Sequence, residues 1–227
     1  MLLPIWTPDK PSGSGDRFFA YSPKLRRFVS FSSKLERDYW LLLEFDPTVT
    51  AFCEQPAMVH VVIDGCWRKS RLDFWVSRRP GIETFVEIKY ASELRDVKSR
   101  AHRQIETQQK GLRAAGRNHE VVTDETICAN PILLNSLRTL LGEFDSNYPR
   151  LIEQAKPLME WISFLVARGP GSTIDYVLGQ RPAEVPIEVV RLAVMELIRI
   201  RVMDSSIERI PLTPNSVLRA GSRFHLS

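Results

Sequence analysis

The sequence is poor in cysteine, and the cysteines that it has lack the spacing of a structural site. Among 227 residues there are three cysteines, Cys53, Cys66 and Cys128, an odd number with no Cys-x-x-Cys pair. This pattern suggests neither a disulfide framework nor a zinc site. The four histidines show no metal-ligand spacing either. We therefore expect a reducing, cytoplasmic setting.

Long apolar runs and nucleotide-binding signatures are also missing. No apolar stretch approaches the length of a membrane span, so we expect no membrane partner. The start, MLLPIWTPDK, lacks the basic region and long apolar stretch of a signal peptide. There is no Walker motif, no dinucleotide fingerprint and no nucleophile elbow. The content of 44% hydrophobic residues is that of a globular protein. Any chemistry has to come from side chains outside the motifs excluded above.

The charge balance and length set broad limits. Lys and Arg number 31 against 27 Asp and Glu, which gives a net charge of +4. This mild basicity is compatible with a nucleic-acid partner but is weak evidence alone. The length allows one large or two small domains.

The most informative stretch is RLDFWVSRRPGIETFVEIK, residues 71–89. Apolar and polar side chains alternate along residues 72–76, and a second alternation places Glu87 and Lys89 on one face. Ser77–Gly81 between them has the Pro and Gly of a tight turn. The stretch therefore predicts an antiparallel hairpin.

The length of the hairpin loop decides whether the acidic residues meet. A loop of odd length, such as Arg79-Pro80-Gly81, puts Asp73 opposite Glu87. A strict two-residue Pro-Gly turn puts Asp73 opposite Ile88, on the wrong face. A site built from both carboxylates therefore requires the odd loop or a bulge.

Carboxylates converging at Asp73 and Glu87 are costly unless a cation neutralises them. Mg²⁺ accepts such oxygen ligands, Mn²⁺ can substitute for it, and the ion can activate water and polarise a phosphate. Lys89, two residues along the same strand face, can stabilise the charge that develops on the phosphate. The alternative is an ordinary half-exposed strand with a cross-strand Glu–Lys pair, since Asp-x(n)-Glu-x-Lys is a short pattern.

Upstream residues strengthen the functional interpretation. Residues 32–56 read SSKLERDYWLLLEFDPTVTAFCEQP, with Glu36 on a helix, then Glu44-Phe45-Asp46-Pro47 and Gln55-Pro56. In order and spacing these motifs resemble, over residues 25–130, the TnsA endonuclease subunits of heteromeric transposons, members of the PD-(D/E)xK nuclease superfamily. One departure is Leu72, where the superfamily often has proline, which is not a ligand.

The resemblance implies a restriction-endonuclease-like mixed sheet with flanking helices. It implies a Mg²⁺-dependent DNA endonuclease that cuts one strand at each transposon end. Its partners would be double-stranded DNA, a strand-joining transposase and an AAA+ regulatory ATPase. The metal would be held by Asp73, Glu87, Glu36 and the backbone carbonyl of Ile88, with Lys89 as the catalytic cation.

Glu36 also has a structural interpretation. Ser33 and Glu36 fit a capping box, in which the glutamate bonds back to the start of its helix. The residues alone favour the cap, whereas the resemblance places this glutamate in the active site.

The remaining elements follow in order. Residues 1–24, rich in Pro, Gly and Ser, predict an irregular arm, and 25–145 form the nuclease domain. Strands are predicted at 49–54 and 58–63, a long helix at 92–115 and a strand at 120–123. Because the helix is basic, it is expected to face DNA; the DNA-binding candidates are Gln55, which is also a candidate for positioning the site, and Arg95, Lys98 and Arg103.

Residues 130–141 predict a helix leading out of the first domain, with a boundary near 145–149. In residues 150–227, helices are predicted from Leu151 to Gly169, from Ser172 or Thr173 to Leu178, and over 187–198. A hairpin over 201–210 then completes a winged-helix-like domain for DNA or protein contact.

Two other functions stay open. One is a non-catalytic assembly or regulatory module on a nuclease-like scaffold, which would follow if Glu36, Asp73, Glu87 and Lys89 do not converge. The other is a restriction or repair nuclease with the same core, which the fold alone does not separate from a transposon enzyme.

Overall fold

The computed structural model describes residues 2–5, 17–142, 144, 147–169 and 171–221. The chain divides into two compact units. Unit 1 comprises 1–19 and 27–129, and unit 2 comprises 20–26 and 130–227. The helix at Pro131–Gly142, placed at the end of the first domain from sequence, thus groups with the second unit. None of the helices in the described ranges is long and apolar enough to cross a membrane.

A mixed four-stranded sheet with flanking helices forms unit 1. The strands up to residue 123 are β1 (Phe18–Ser22), whose last three residues group with unit 2, β2 (Arg27–Phe31), β3 (Val49–Glu54), β4 (Met58–Ile63), β5 (Cys66–Arg71), β6 (Phe74–Arg78), β7 (Ile82–Lys89) and β8 (Asn118–Thr123). The helices are α1 (Lys34–Phe45), α2 (Arg100–Ala114) and α3 (Asp124–Ile127), with a 3₁₀ turn at Ala91–Leu94. The sheet order is β3-β6-β7-β8, and only the β7–β8 pairing within it is parallel.

The β6–β7 hairpin has the odd loop that the site requires. Arg78 pairs with Ile82, so the three residues Arg79–Gly81 form the loop. The Gly81 amide donates to the Arg78 carbonyl at 2.7 Å, and Gly81 has a φ of +103°, which favours glycine. The predicted hairpin is therefore confirmed, and its loop has three residues rather than two.

Asp73 lies at a bend and not inside a strand as predicted. Strand β5 ends at Arg71, and β6 begins at Phe74. The backbones of Leu72 and Asp73 instead bond to the segment before β4: the Leu72 amide donates to Ala57 O, and Asp73 O accepts from the Gln55 amide. These bonds, together with the full burial of Leu72, hold the bend in place.

The predicted helix over 92–115 is wrong in its first part. Continuous α-helix begins at Arg100, and Ser99 caps it by accepting from the His102 amide at 3.2 Å. Asp96 accounts for the break, because its carboxylate accepts from the Lys98 amide and its carbonyl from the Ser99 amide. Such local bonds compete with helix formation. Val97, which lies within the predicted helix, is 74% exposed.

The β4–β5 hairpin forms its own two-stranded sheet and packs on α2. Its turn is Asp64-Gly65, as predicted, with positive φ at both residues. Val59 is buried with Leu112 of α2 and Leu72. Gly111 permits this close packing, because a Cβ there would lie 2.2 Å from Cγ1 of Val59.

The irregular arm predicted to reach residue 24 is wrong for residues 18–22. These form β1, which pairs with β2 in a two-stranded sheet. Aromatic side chains favour extended structure here despite the Gly- and Ser-rich stretch before them. Residues 6–16 of the predicted arm lie outside the described residues.

Unit 2 is mostly helical. Its elements are α4 (Pro131–Gly142), α5 (Tyr148–Arg168), α6 (Ile174–Gly179), α7 (Ile187–Arg199), β9 (Met203–Asp204) and β10 (Arg219–Ala220). All four predicted helices are confirmed. Thr173 caps α6, its hydroxyl accepting from the Tyr176 amide at 3.1 Å.

The predicted hairpin over 201–210 is wrong. Strand β9 pairs with β10, so its partner lies near residue 220 and not in 207–210. The amides of Arg209 and Ile210 both donate to the Ser206 carbonyl, which folds this segment into a turn. Ser206 itself has a φ of +56°, so the chain reverses before a second strand can form.

Candidate active site

Asp73 and Glu87 face each other across the β6–β7 pair. Phe74 pairs with Val86, and continuing that register by one residue places Asp73 opposite Glu87. The Ile88 amide donates to Oδ2 of Asp73 at 2.8 Å. Ile88 thus holds Asp73 through its amide, while its carbonyl as a ligand stays a prediction.

Glu87 is fully buried, and each of its oxygens has a donor. Nζ of Lys89 lies 2.5 Å from Oε1, and Nε2 of Gln108 donates to Oε2 at 2.6 Å. The Lys89 side chain is 15% exposed. The period of the strand therefore brings Glu87 and Lys89 together on one face, as predicted.

The surroundings of Asp73 and Glu87 raise the pKa of both carboxyl groups. Burial, with the charge of Asp73 adding to it, raises the pKa of Glu87 to about 7. Burial also raises the pKa of Asp73, against the opposing effects of the Ile88 amide and Lys89. Burial lowers the pKa of Lys89, but the Glu87 carboxylate outweighs this and the net direction is upward. Lys89 is therefore a cation at neutral pH, beside carboxylates that a further cation would stabilise.

Glu36 belongs to the helix cap and to the same electrostatic network. It lies in the first turn of α1, where Oε2 accepts from the Ser32 amide at 3.0 Å and Oε1 from the Ser33 hydroxyl at 3.1 Å. Ser33 is the N-cap and accepts from the Glu36 amide. Burial, and next the charge of Asp73, raise the pKa of Glu36 to about 7 although these bonds oppose the shift. The structure thus confirms the cap and places Glu36 within electrostatic reach of Asp73, and its part in an active site stays a prediction.

A pair of substitutions separates those two roles. We expect Glu36→Gln to reduce cleavage about ten- to hundredfold, as loss of a group supporting a metal site does, because it removes charge while keeping one capping acceptor. We expect Ser33→Ala to cost about 1 kcal/mol of stability through the lost cap and to leave cleavage near normal. Nicking assays and thermal melts on both variants measure this. The opposite pattern would assign Glu36 to the cap alone.

Gln108 is the residue whose contact with the site the sequence analysis missed. It lies on α2 and is fully buried. Its Nε2 contacts Glu87, Oγ of Ser70 at 2.9 Å and the carbonyl of Arg71 at 3.0 Å. Its Oε1 lies 3.1 Å from Nε2 of His119, which orients the amide. The available signal was an amide in an apolar stripe, since a buried amide needs polar partners.

The predicted DNA-binding residues fall in two settings. Gln55 is only 3% exposed, and its side chain donates to the Ser32 hydroxyl, so it has little surface to offer DNA, and its part in positioning the site stays a prediction. Arg95 and Lys98 lie exposed in the turn before α2, and Arg103 lies exposed on α2 with a bond to the Lys98 carbonyl.

The donor set suits a hard divalent ion. Within the ranges that the structure describes, no three His, Cys, Asp or Glu side chains are arranged as a metal-binding group. Glu36 and Glu87 are each engaged by local donors, as described above. Asp73, which is half-buried, and Glu87, which is buried, nevertheless present only oxygens, and the charge of Asp73 raises the pKa of Glu87, an arrangement that Mg²⁺ would stabilise. Asp73 and Glu87 are thus the best-placed ligands, with Glu36 next.

No family model matches the chain, and no curated protein sequence matches it either. The resemblance to TnsA subunits therefore rests on the order and spacing of the motifs. The geometry of the site has to carry any functional conclusion.

Proposed function

We propose that the chain is a metal-dependent DNA endonuclease. The observation that carries this proposal is the convergence of Asp73, Glu87 and Lys89 at one end of the β6–β7 hairpin, with Glu36 coupled to Asp73 electrostatically. Phosphodiester hydrolysis needs negative charge to hold a cation and a positive group near the scissile phosphate. This cluster contains both.

Each residue has a distinct part in that chemistry. Asp73 and Glu87, with Glu36, would hold Mg²⁺, or Mn²⁺ in its place. The ion, when bound, supplies Lewis-acid activation of water and phosphate. Lys89 stabilises negative charge on the phosphate as it develops, and Gln108 keeps Glu87 in position.

The more specific proposal is a TnsA-like subunit that cuts one strand at transposon ends with a strand-joining transposase and an AAA+ ATPase. The motif order over residues 25–130 supports it. Unit 2 would then serve contact with these partners or with DNA, as a winged-helix-like domain. The non-catalytic alternative required that Glu36, Asp73, Glu87 and Lys89 stay apart. The closeness of Asp73, Glu87 and Lys89 supports the enzyme, and Glu36 joins them only through its electrostatic interaction with Asp73. A restriction or repair nuclease of the same core remains the second candidate.

The test is cleavage of supercoiled DNA by the purified chain with Mg²⁺, with Mn²⁺ and with EDTA. We expect nicking that requires the divalent ion and that Asp73→Asn removes. Nicking that occurs only on DNA carrying transposon ends, and only with the transposase and ATPase added, supports the transposon subunit. Ion-dependent nicking of any plasmid by the chain alone supports the stand-alone nuclease. Absence of ion-dependent cleavage in every combination contradicts the enzyme.

A further inference from the structure

A basic groove opens beside the site in unit 1, between the β4–β5 hairpin and α2. Its volume is about 600 Å³. Its lining consists of Met58, Arg68, Lys69, Ser70, Arg71, Asp73, Arg100, Arg103, Gln104 and Thr107. The hairpin contributes one wall, and the first two turns of α2 contribute the other.

The charge in this groove is strongly one-sided. Five of the lining residues are Arg or Lys, and the one acid among them is Asp73. Lys69 and Arg100 are exposed, and neither forms a salt bridge with any residue that the structure describes. Exposed cations such as Lys69 and Arg100, one on each wall of an open groove, attract an anionic ligand.

The two walls of the groove belong to elements that pack closely against each other. Val59 of the hairpin packs against Gly111 of α2 at a distance that excludes even a methyl group at residue 111. The helical wall from Arg100 to Thr107 is about 10 Å long, from a rise of about 1.5 Å per residue. A single strand of duplex DNA presents a phosphate about every 3.4 Å of rise, so this wall spans about three phosphates.

The groove leads directly to the carboxylates. Asp73 lies in its lining, and Ser70, also in the lining, accepts from the same Gln108 amide that holds Glu87. An anionic chain lying in the groove would therefore pass over the site. Lys69 and Arg100 stand on the two walls, where they would hold that chain, and Arg71 lies close enough to Asp73 to lower the pKa of its carboxyl against the effect of burial.

We propose that this groove binds the phosphate backbone of one strand of duplex DNA and guides it to Asp73. The proposal rests on the proposed nuclease function and deepens it. The sequence suggested that DNA contacts the basic helix alone. In this proposal DNA contacts both walls of the groove, and the second wall is formed by Arg68–Arg71. Because backbone contacts carry no base information, binding here is expected to be independent of sequence.

The test compares two double variants of the full chain. Lys69→Gln/Arg100→Gln removes one cation from each wall. Arg113→Gln/Arg117→Gln removes two exposed cations outside the groove, Arg113 in the last turn of α2 and Arg117, paired with Glu83, just after that helix. Binding of a labelled duplex is measured by fluorescence anisotropy in EDTA, from about 50 to 200 mM salt. Thermal melts check that all proteins are folded.

We expect the groove variant to bind on the order of tenfold more weakly, with a salt slope smaller by about 0.9 for each phosphate that the protein no longer neutralises. The control variant should bind like the wild type. If both variants lose the same affinity, or if the groove variant binds DNA like the wild type, the proposal that the groove binds DNA is wrong. If the wild type still nicks DNA in that case, the nuclease proposal stands. Groove-dependent binding without any nicking supports the groove and contradicts the nuclease.

Discussion

Asp73→Ala is expected to abolish Mg²⁺-dependent cleavage. Asp73 faces Glu87 and lines the basic groove, so it is the carboxylate best placed to share a cation with Glu87 and a phosphate. Loss of a ligand that supports several kcal/mol of transition-state stabilisation lowers the rate on the order of a thousandfold or more. Conversion of supercoiled plasmid to the nicked form measures the loss.

The fold should survive this substitution, because its destabilising and stabilising effects oppose each other. The Ile88 amide loses its acceptor, which costs about 1–3 kcal/mol. Against this, the raised pKa values of Glu36 and Glu87 relax when the negative charge of Asp73 disappears. Asp73→Asn is the matched control, because its amide oxygen still accepts from Ile88. If Asp73→Asn has a normal melting temperature and still nicks DNA at the wild-type rate, Asp73 is not a ligand of the catalytic metal.

Lys89→Ala is expected to bind Mg²⁺ and DNA but to cut about a hundred- to a thousandfold more slowly. Lys89 touches Glu87 and stays protonated, since the carboxylate raises the pKa of its ammonium. An ammonium has no acceptor to offer a metal ion, so the residue is not a ligand. Its removal deletes a competing positive charge, and metal affinity should be unchanged or higher.

Three measurements on Lys89→Ala test this separation. Calorimetry reports the metal, a gel shift reports the DNA and a nicking assay reports the rate. Lys89→Met keeps most of the side-chain volume without the charge, so it should match Lys89→Ala if charge is what matters. Near wild-type nicking by both variants would make Lys89 an ordinary salt-bridge partner on the sheet.

The local features of the site were predictable because they depend on neighbours in sequence. The period of a strand places Glu87 and Lys89 on one face wherever that strand lies. The Pro-Gly turn marks a hairpin, and Ser33 marks the start of α1. The sequence left the loop length open between two values, and the pairing of Arg78 with Ile82 decided it.

Errors arose where short-range bonds or distant partners override a periodic pattern. The spacing of apolar residues predicted a helix that includes Val97. Asp96 instead closes a turn just before Val97, and α2 starts at Arg100. Residues 207–210 have strand-like composition, but Ser206 reverses the chain, and β9 finds its partner at Arg219–Ala220. Strand pairing over that separation is invisible to local patterns.

The sequence by itself determined the candidate residues of the proposed site: Asp73, Glu87 and Lys89, and Glu36 with two alternative roles that the pattern did not separate. Only the tertiary structure decided what surrounds them. It brought Gln108 from α2 to Glu87, and it set Arg68–Arg71 across from Arg100 and Arg103 to form the groove. Periodicity specifies the face on which a side chain lies, whereas the neighbour across that face depends on how whole elements pack.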